Sequence, residues 1–466
     1  MNSDEIQHDS FRDHISTISE NGKRNWIYAQ KPKGKFYTKR TVVSILYLTL
    51  FFSLPFIRVN GDPFFLFNVL ERRFIFFGVT FWPQDFFIFG IGMLVFIVFI
   101  VLFTVAFGRV FCGWACPQTV FMEMVFRRIE YWIEGEATHQ KLLDKMPWNT
   151  EKILRRGSKH VVFFLMAFLI ANTFLAYVIG TDELFKIIHE PVSQHAGGFA
   201  ALLIFTGVFY AVYARFREQV CLIVCPYGRL QGVMTDRNSL LVAYDFLRGE
   251  PRSKFSKKEE KPAGDCIDCF QCVKVCPMGI DIRNGTQLEC TACTACIDAC
   301  DFMMEKTGKP KGLIRYASEN GIEKGEQVRF TPRMIAYSVV LLLLIGVLAA
   351  LLLTRRDVDA TVLRTPGMLY QERGTDTISN LYNIKLINKT HKKVPVVLKI
   401  ESGPGTIRMI GKEIVIGKTS NAESTFFILL PRKTVRERKT SITIGIWSGN
   451  KRLETVNTSF LGPLTR

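Results

Sequence analysis

The 466-residue sequence predicts a multi-domain membrane protein: an α-helical bundle of five spans, a small cysteine-rich α+β insert and an all-β sandwich at the C-terminus. Three observations carry this. Five uncharged apolar runs have about the length that crosses a bilayer core. All 12 cysteines fall between residues 112 and 300. Residues 354–466 alternate apolar and polar side chains in short runs. A hydrophobic content of 48%, with 39 Phe, excludes an intrinsically disordered chain. Every cysteine sits in a CxxxC or CxxC pattern, which excludes a secreted disulfide scaffold.

The apolar runs are 41–57, 86–107, 161–179, 196–214 and 334–353. Five such runs with charged flanks are hard to bury as core helices of a soluble enzyme. Residues 63–82 are also apolar, but Glu71, Arg72 and Arg73 interrupt them. A central charge triplet is costly in hydrocarbon, so this stretch reads as interfacial or re-entrant. Orientation follows Lys and Arg in the short loops. Residues 1–40 carry eight and 108–160 carry nine, against three between the first two runs and one (Lys186) in 180–198. The N-terminus, 108–160 and 215–333 are therefore expected on the cytoplasmic side and 354–466 outside. The first 40 residues are polar and basic, without the apolar stretch of a cleavable signal peptide. The net charge of +18 suits the inner leaflet. No motif beside it points to nucleic acid.

Residues 266–300 hold two runs with C-x₂-C-x₂-C-x₃-C spacing: Cys266, Cys269, Cys272, Cys276 before Pro277, and Cys290, Cys293, Cys296, Cys300 before Asp301. A cubane cluster needs four converging thiolates, and in two-cluster ferredoxins the fourth ligand of each comes from the other run. One [4Fe–4S] cluster is therefore expected on Cys266, Cys269, Cys272 and Cys300. The second is expected on Cys290, Cys293, Cys296 and Cys276. Structural zinc is the competing reading, but the doubled spacing favours iron–sulfur. Disulfides do not suit a reducing cytoplasmic side.

The other four cysteines form CGWACP (Cys112, Cys116) and CLIVCP (Cys221, Cys225), each just after an apolar run and offset by 109 residues. This is an internal repeat of span plus motif. An i, i+4 pair shares one helix face if the helix continues, but the following Pro opens the backbone at the second Cys. Soft thiolates suit Cu(I). A metal cluster, a dithiol/disulfide relay or simple apolar packing are the other readings. His189 and His195 flank Pro191 in an outer loop and read as polar loop residues.

The expected divisions are 1–40, a cytoplasmic tail; 41–214, four spans; 215–262, a connector with the second CxxxCP; 263–305, the ferredoxin-like insert; 306–333, a tether; 334–353, the fifth span; and 354–466, the outer sandwich. Within the connector, 246–262 reads as a solvated linker.

This order of features resembles the FixG/CcoG/RdxA family of polyferredoxin-like cytochrome c oxidase accessory proteins. FCGWACPQT, VCLIVCPYGRLQ, CIDCFQCVKVCPMGIDIRNG and LECTACTACIDACD carry the likeness. The resemblance implies a bacterial inner-membrane protein with a periplasmic immunoglobulin-like tail. It implies two [4Fe–4S] clusters on the eight cysteines above and copper handling by Cys112, Cys116, Cys221 and Cys225. It also implies reduction of Cu(II) to Cu(I) for assembly of a cbb-type oxidase, with oxidase subunits or copper-delivery proteins as partners. The electron donor stays open between a soluble reductant and a membrane quinol. A quinol dehydrogenase serving another partner, with Glu71–Arg73 as quinol site, is one alternative; a non-enzymatic redox-sensing assembly factor is another. No catalytic residue is assigned.

Overall fold

A computed structural model describes residues 16–19, 21–69, 72–254, 264–325, 331–367, 369–374, 376–411, 413–435 and 437–463. Among the described residues, five helical segments are long and apolar enough to cross a membrane: α1 (Lys35–Phe56), α2 (Pro83–Phe107), α3 (Thr150–Ile179), α4 (Val192–Phe216) and α5 (Pro332–Leu353). Their outer surfaces are unusual for water: Phe86, Ile204 and Leu342 are each 69% exposed and Leu353 87%. Such helices, apolar on the side away from their neighbours, belong in lipid, where intrahelical bonding satisfies every backbone group. Their ends are marked locally. Asn149 caps α3 by accepting from Lys152 N at 2.8 Å, and Gly180 ends it at φ 87°.

The chain divides into two compact units, Met1–Ile57 with Leu66–Asn68 and Phe89–Gly346, and Arg58–Phe65 with Val69–Ile88 and Val347–Arg466. In the first, strand Leu241–Tyr244 pairs antiparallel with Ile314–Ala317. Between them lie both cysteine runs and the helices Gln271–Lys274 and Ala295–Lys306. The two strands fall in segments expected as connector and tether. They join the insert because Val242, Tyr244 and Ile314 bury their side chains among Cys266, Cys272, Cys296 and Cys300. Of the solvated linker expected at 246–262, Phe246–Gly249 is a short helix and 255–262 lie outside the described residues.

Four of the nine cations counted in 108–160 do not face lipid headgroups: Arg109, Arg127, Lys152 and Lys159 are buried. Glu130 accepts from Arg217 at 3.2 Å and faces Lys159 at 3.5 Å, while Glu134 lies 2.8 Å from Lys159. The Arg217, Lys159 and Arg127 charges hold the Glu130 carboxyl below the usual range despite burial, which alone would raise it.

In the second unit, the stretch expected to be interfacial or re-entrant contains extended backbone. Arg73–Phe76 and Val79–Phe81 pair as a hairpin across Phe77 (φ 54°) and Gly78 (φ 76°). Two positive-φ residues are what a tight hairpin turn requires. The aromatic alternation of RFIFFGVTF supplied this strand pattern, and Glu71 lies outside the described residues. Among the described residues, the C-terminal domain has nine strands: β1 (Val358–Arg364), β2 (Gln371–Arg373), β3 (Thr377–Asn388), β4 (Val394–Ile400), β5 (Thr406–Ile410), β6 (Ile414–Ile416), β7 (Asn421–Pro431), β8 (Lys439–Ser448) and β9 (Lys451–Leu461). One sheet runs β5-β7-β3-β1 with β2 beside β3, and the other runs β6-β4-β8-β9. Ile378, Tyr382, Ile384 and Leu386 alternate inward along β3 against Phe426 and Ile428 of β7 and Ile444 and Ile446 of β8. Tyr382 stacks on Phe426 at 5.6 Å and donates to Ser459 O in the opposite sheet at 2.9 Å.

Asp85, at the start of α2, is buried and accepts from Arg355 at 2.6 Å and Lys389 at 2.5 Å; Lys389 also meets Asp359 at 2.5 Å. Removing one member of a buried ion cluster leaves its partners uncompensated, at roughly 3–5 kcal/mol. Asp85→Ala is therefore expected to lower the thermal midpoint of the purified chain by several degrees and to speed proteolysis near 355–359. Unchanged cleavage and midpoint would contradict this account.

Candidate functional site

The two cysteine runs share a backbone device that their spacing does not reveal. Asp268 and Phe270 in the first, and Ala292 and Thr294 in the second, take left-handed φ values of 49°, 57°, 53° and 65°. These positions sit at the same offsets, two and four residues after the leading cysteine. None is glycine, so each carries a local conformational cost that the surrounding structure must hold. The alternating hand curls each loop around a small apolar bay.

One bay is lined by Cys266, Cys269, Cys272 and Cys300, with Tyr244, Met304 and Ile314. The other is lined by Cys276, Cys290, Cys293 and Cys296, with Met278, Ile280 and Ile282; Cys272 borders it as well. Each bay thus gathers three cysteines of one run and the last of the other. Four thiols around a dry cradle are the donor set of a [4Fe–4S] group, and the residues fit it. Burial pushes the Cys272 and Cys300 thiols up to about 12; neighbouring sulfurs add to the rise at both, while at Cys272 Arg283 opposes it and Asp281 adds to it. Burial raises Cys290 to about 11, and Cys276, Cys293 and Cys296 are raised too. Arg109 beside Cys290 and Arg40 beside Cys293 oppose that effect and favour negative charge at the second bay.

The first CxxxCP motif packs against the second cysteine run, and the second motif borders an apolar cluster that this run also borders. Cys112 lies in the helix Val110–Trp114, and Cys116 opens to ψ 127° before Pro117. Cys221 lies in a wide turn, Val220–Val224, and Cys225 opens to ψ 108° before Pro226. The helix therefore does not continue through either pair, for the reason expected from the following proline. A methyl group on Gly113 would sit 2.5 Å from Thr291 O and 2.9 Å from Ala292 O, so the first motif touches the second cysteine run through bare backbone. Trp114 Nε1 donates to Tyr316 OH at 3.2 Å, and Tyr316 OH donates to Ala292 O at 3.3 Å. Cys221, Cys276 and Cys290 border one apolar cluster around Phe121 and Tyr213. Burial pushes Cys112 up to about 11 and Cys221 to about 12; Cys116 and Cys225 act on both, and Arg109 opposes the rise at both. Among the described residues, no three His, Cys, Asp or Glu are grouped as a site for a single metal ion.

Three positioning residues escaped the sequence reading. Gln231 Oε1 accepts from Cys112 Sγ at 2.9 Å and from Arg109 Nε at 3.3 Å, linking the first motif to the helix that follows the second. Arg109 also donates to Leu288 O, two residues before Cys290. Asp298, between Cys296 and Cys300, accepts from Phe36 N at 3.1 Å and Tyr37 N at 2.8 Å, capping α1 from the cysteine module. A polar residue between ligands gave no sign of a partner 260 positions away. His195 is held by Glu190 at 2.5 Å, and His189, the last residue of the helix Thr181–His189, by Phe185 O at 2.7 Å.

Bays of four thiols beside long lipid-facing helices define an iron–sulfur electron-transfer protein of the membrane. Family comparison agrees: residues 216–319 match a 4Fe-4S dicluster domain, 89–135 a 4Fe-4S binding domain, and 348–463 the Ig-like fold at the C-terminus of FixG. The chain is 34% identical over 437 residues to nitrogen fixation protein FixG of Rhizobium meliloti, covering 84% of this chain and 82% of that one. It is 33% identical to protein RdxA of Cereibacter sphaeroides (82% and 83% covered) and 33% identical to protein RdxB of the same organism (84% and 87%). A crystal structure of a FixG-related protein from Vibrio parahaemolyticus aligns at 19% identity and TM-score 0.21, over 24% of this chain and 100% of that one. The chain belongs to the FixG family.

The Gly113 contact makes a direct prediction. Gly113→Ala is expected to push the first motif off the second run, lowering the iron held by the purified protein while the apolar helices still insert. Full iron content in the variant would show that the close approach is dispensable.

Proposed function

We propose that this protein is a five-span reductase of the bacterial inner membrane that converts Cu(II) to Cu(I) for assembly of a cbb-type oxidase. Its N-terminus and cysteine module would be cytoplasmic and its sandwich periplasmic. Oxidase subunits or copper-delivery proteins would receive the product. The observation that carries this reading is the seating of the first CxxxCP motif on the second cysteine run, through Gly113 on Thr291 and Ala292, with Cys221 of the second motif bordering the same apolar cluster as Cys276 and Cys290.

Cys266, Cys269, Cys272 and Cys300 would hold one [4Fe–4S] group, and Cys276, Cys290, Cys293 and Cys296 the other. Such groups, when bound, exchange one electron at a time, which matches the one-electron change from Cu(II) to Cu(I). The chain's own residues supply the rest. Apolar walls keep water from both bays, and Arg40 and Arg109 bias the second toward negative charge. The four motif thiols offer soft ligands that favour the reduced ion. Gln231 holds the Cys112 thiol in place at 2.9 Å.

Reconstituted protein given dithionite and Cu(II) is expected to yield Cu(I), followed with a chromogenic chelator. A Cys266→Ser/Cys290→Ser variant should fall to the protein-free rate; an unchanged rate would sink the proposal. In the same preparation, Cys112→Ser/Cys221→Ser should lose bound copper while keeping its iron.

The motif thiols also set a pH dependence. With Cys112 near 11 and Cys221 near 12, both carry their protons at pH 7, and a metal must displace them. Releasing two protons makes Cu(I) affinity rise by up to ~100-fold per pH unit. Competition with a Cu(I) chelator between pH 6 and 8 measures this slope, and a flat profile would exclude these two thiols as ligands.

A further inference from the structure

The positive charge of the chain is unevenly spread. Residues 354–466 carry 20 Lys and Arg against nine Asp and Glu, so +11 of the total +18 lies there. Attraction of basic loops to the inner leaflet does not account for a domain placed on the other side. Part of this charge is gathered at one place within the second unit. A cleft of about 780 Å³ opens between the loop after β3 and the turn from β8 to β9, and Thr390, Lys392, Lys393 and Lys451 line it. Val358, Val394 and Leu453 form its apolar wall. The acid at its edge, Asp357, lies 3.5 Å from Lys451, leaving the two adjacent lysines in excess.

The basic loop is built rather than loose. Buried Asn388 donates to Lys392 O at 2.6 Å and Gly417 O at 2.7 Å, and accepts from Thr390 N at 2.9 Å and Thr390 Oγ1 at 2.7 Å. His391 is fixed by Asp62 Oδ2 at 3.0 Å and Gly78 O at 3.1 Å. A donor loop ordered in advance loses little freedom when a ligand arrives. Its depth is also set. Lys389 meets Asp85 at 2.5 Å, and Asp85 adjoins Phe86 near the start of α2. Asp357 follows Leu353, the last residue of α5, by four positions, at most about 14 Å of chain. The headgroup layer begins where such helices end and is roughly 5–8 Å thick.

From cationic donors beside an apolar wall at this depth, we infer that the cleft binds the phosphate of an anionic phospholipid. Lys392, Lys393 and Lys451 take the phosphate, and Val358, Val394 and Leu453 receive the glycerol and upper acyl carbons. A soluble acidic protein segment would match the charge but has no use for the apolar wall at the bilayer surface.

The test uses the full chain, delipidated in neutral detergent and offered equimolar phosphatidylglycerol and phosphatidylcholine, with retained lipid counted by native mass spectrometry. Wild type is expected to retain phosphatidylglycerol at least tenfold over phosphatidylcholine. Lys392→Glu/Lys393→Glu/Lys451→Glu should abolish that preference. Arg408→Glu/Lys433→Glu/Lys439→Glu, with the same change of net charge elsewhere on the sandwich, should keep it. If the first variant unfolds early, Lys392→Gln/Lys393→Gln repeats the comparison. No preference in wild type, or equal loss in both charge-reversed variants, overturns the inference. Stabilisation by inorganic phosphate without lipid preference reassigns the cleft to a free anion and overturns it. Displacement of bound phosphatidylglycerol by an oligoglutamate peptide at micromolar concentration assigns it to an acidic protein and also overturns it.

Discussion

The sulfur chemistry of this protein depends on one close approach. The backbone at Gly113 lies so near Thr291 and Ala292 that no side chain fits between. A glycine is needed there for space, since its φ is ordinary. Through that contact a loop leaving one apolar helix is seated on the cysteine run of the insert. Arg40 reinforces it by donating to Gly113 O at 2.7 Å, and Arg109 by reaching Leu288 O. The backbone of the first motif is thereby held on the second cysteine run by close packing and buried cations.

Charge in the first unit is organised to keep that arrangement rigid. Cations that seemed destined for the membrane surface turn inward to Glu130, Glu134 and Glu218. Buried ion pairs add little net stability, because each ion loses its hydration. They do penalise any shift that separates partners. Short helical and wide-turn pieces between residues 110 and 133, and again after Phe216, would otherwise be free to slide. The paired charges specify one register among several that apolar packing alone would tolerate.

The C-terminal domain uses a different economy. Its core is a regular alternation of apolar residues on two antiparallel sheets, closed by the Tyr382 hydrogen bond between them. The polar atoms at its base are spent on Asp85, Arg355, Lys389 and His391, which tie hairpin, helix start and sandwich into one unit. The same residues fix the basic loop after β3 against the hairpin and the helix start.

The amino-acid order alone determined the apolar helices, the β grammar of the tail, and the cysteines as a set of twelve, because each depends on local period or spacing. Proline after Cys116 and Cys225 opened the backbone as its ring geometry requires. The hairpin at 73–81 follows the local aromatic alternation, while the charge triplet beside it bears only on whether the stretch could cross the bilayer as a helix. Leu241–Tyr244 and Ile314–Ala317 lie about 70 residues apart, and antiparallel pairing at that distance leaves no mark in either the connector or the tether. Left-handed turns at Asp268, Phe270, Ala292 and Thr294 are equally silent, since none is glycine. Only the tertiary structure decided where Gly113 meets the second cysteine run, where Gln231 and Asp298 find their partners, and which lysines are buried. Those outcomes depend on contacts between residues distant in the chain, and packing rather than local preference selects them.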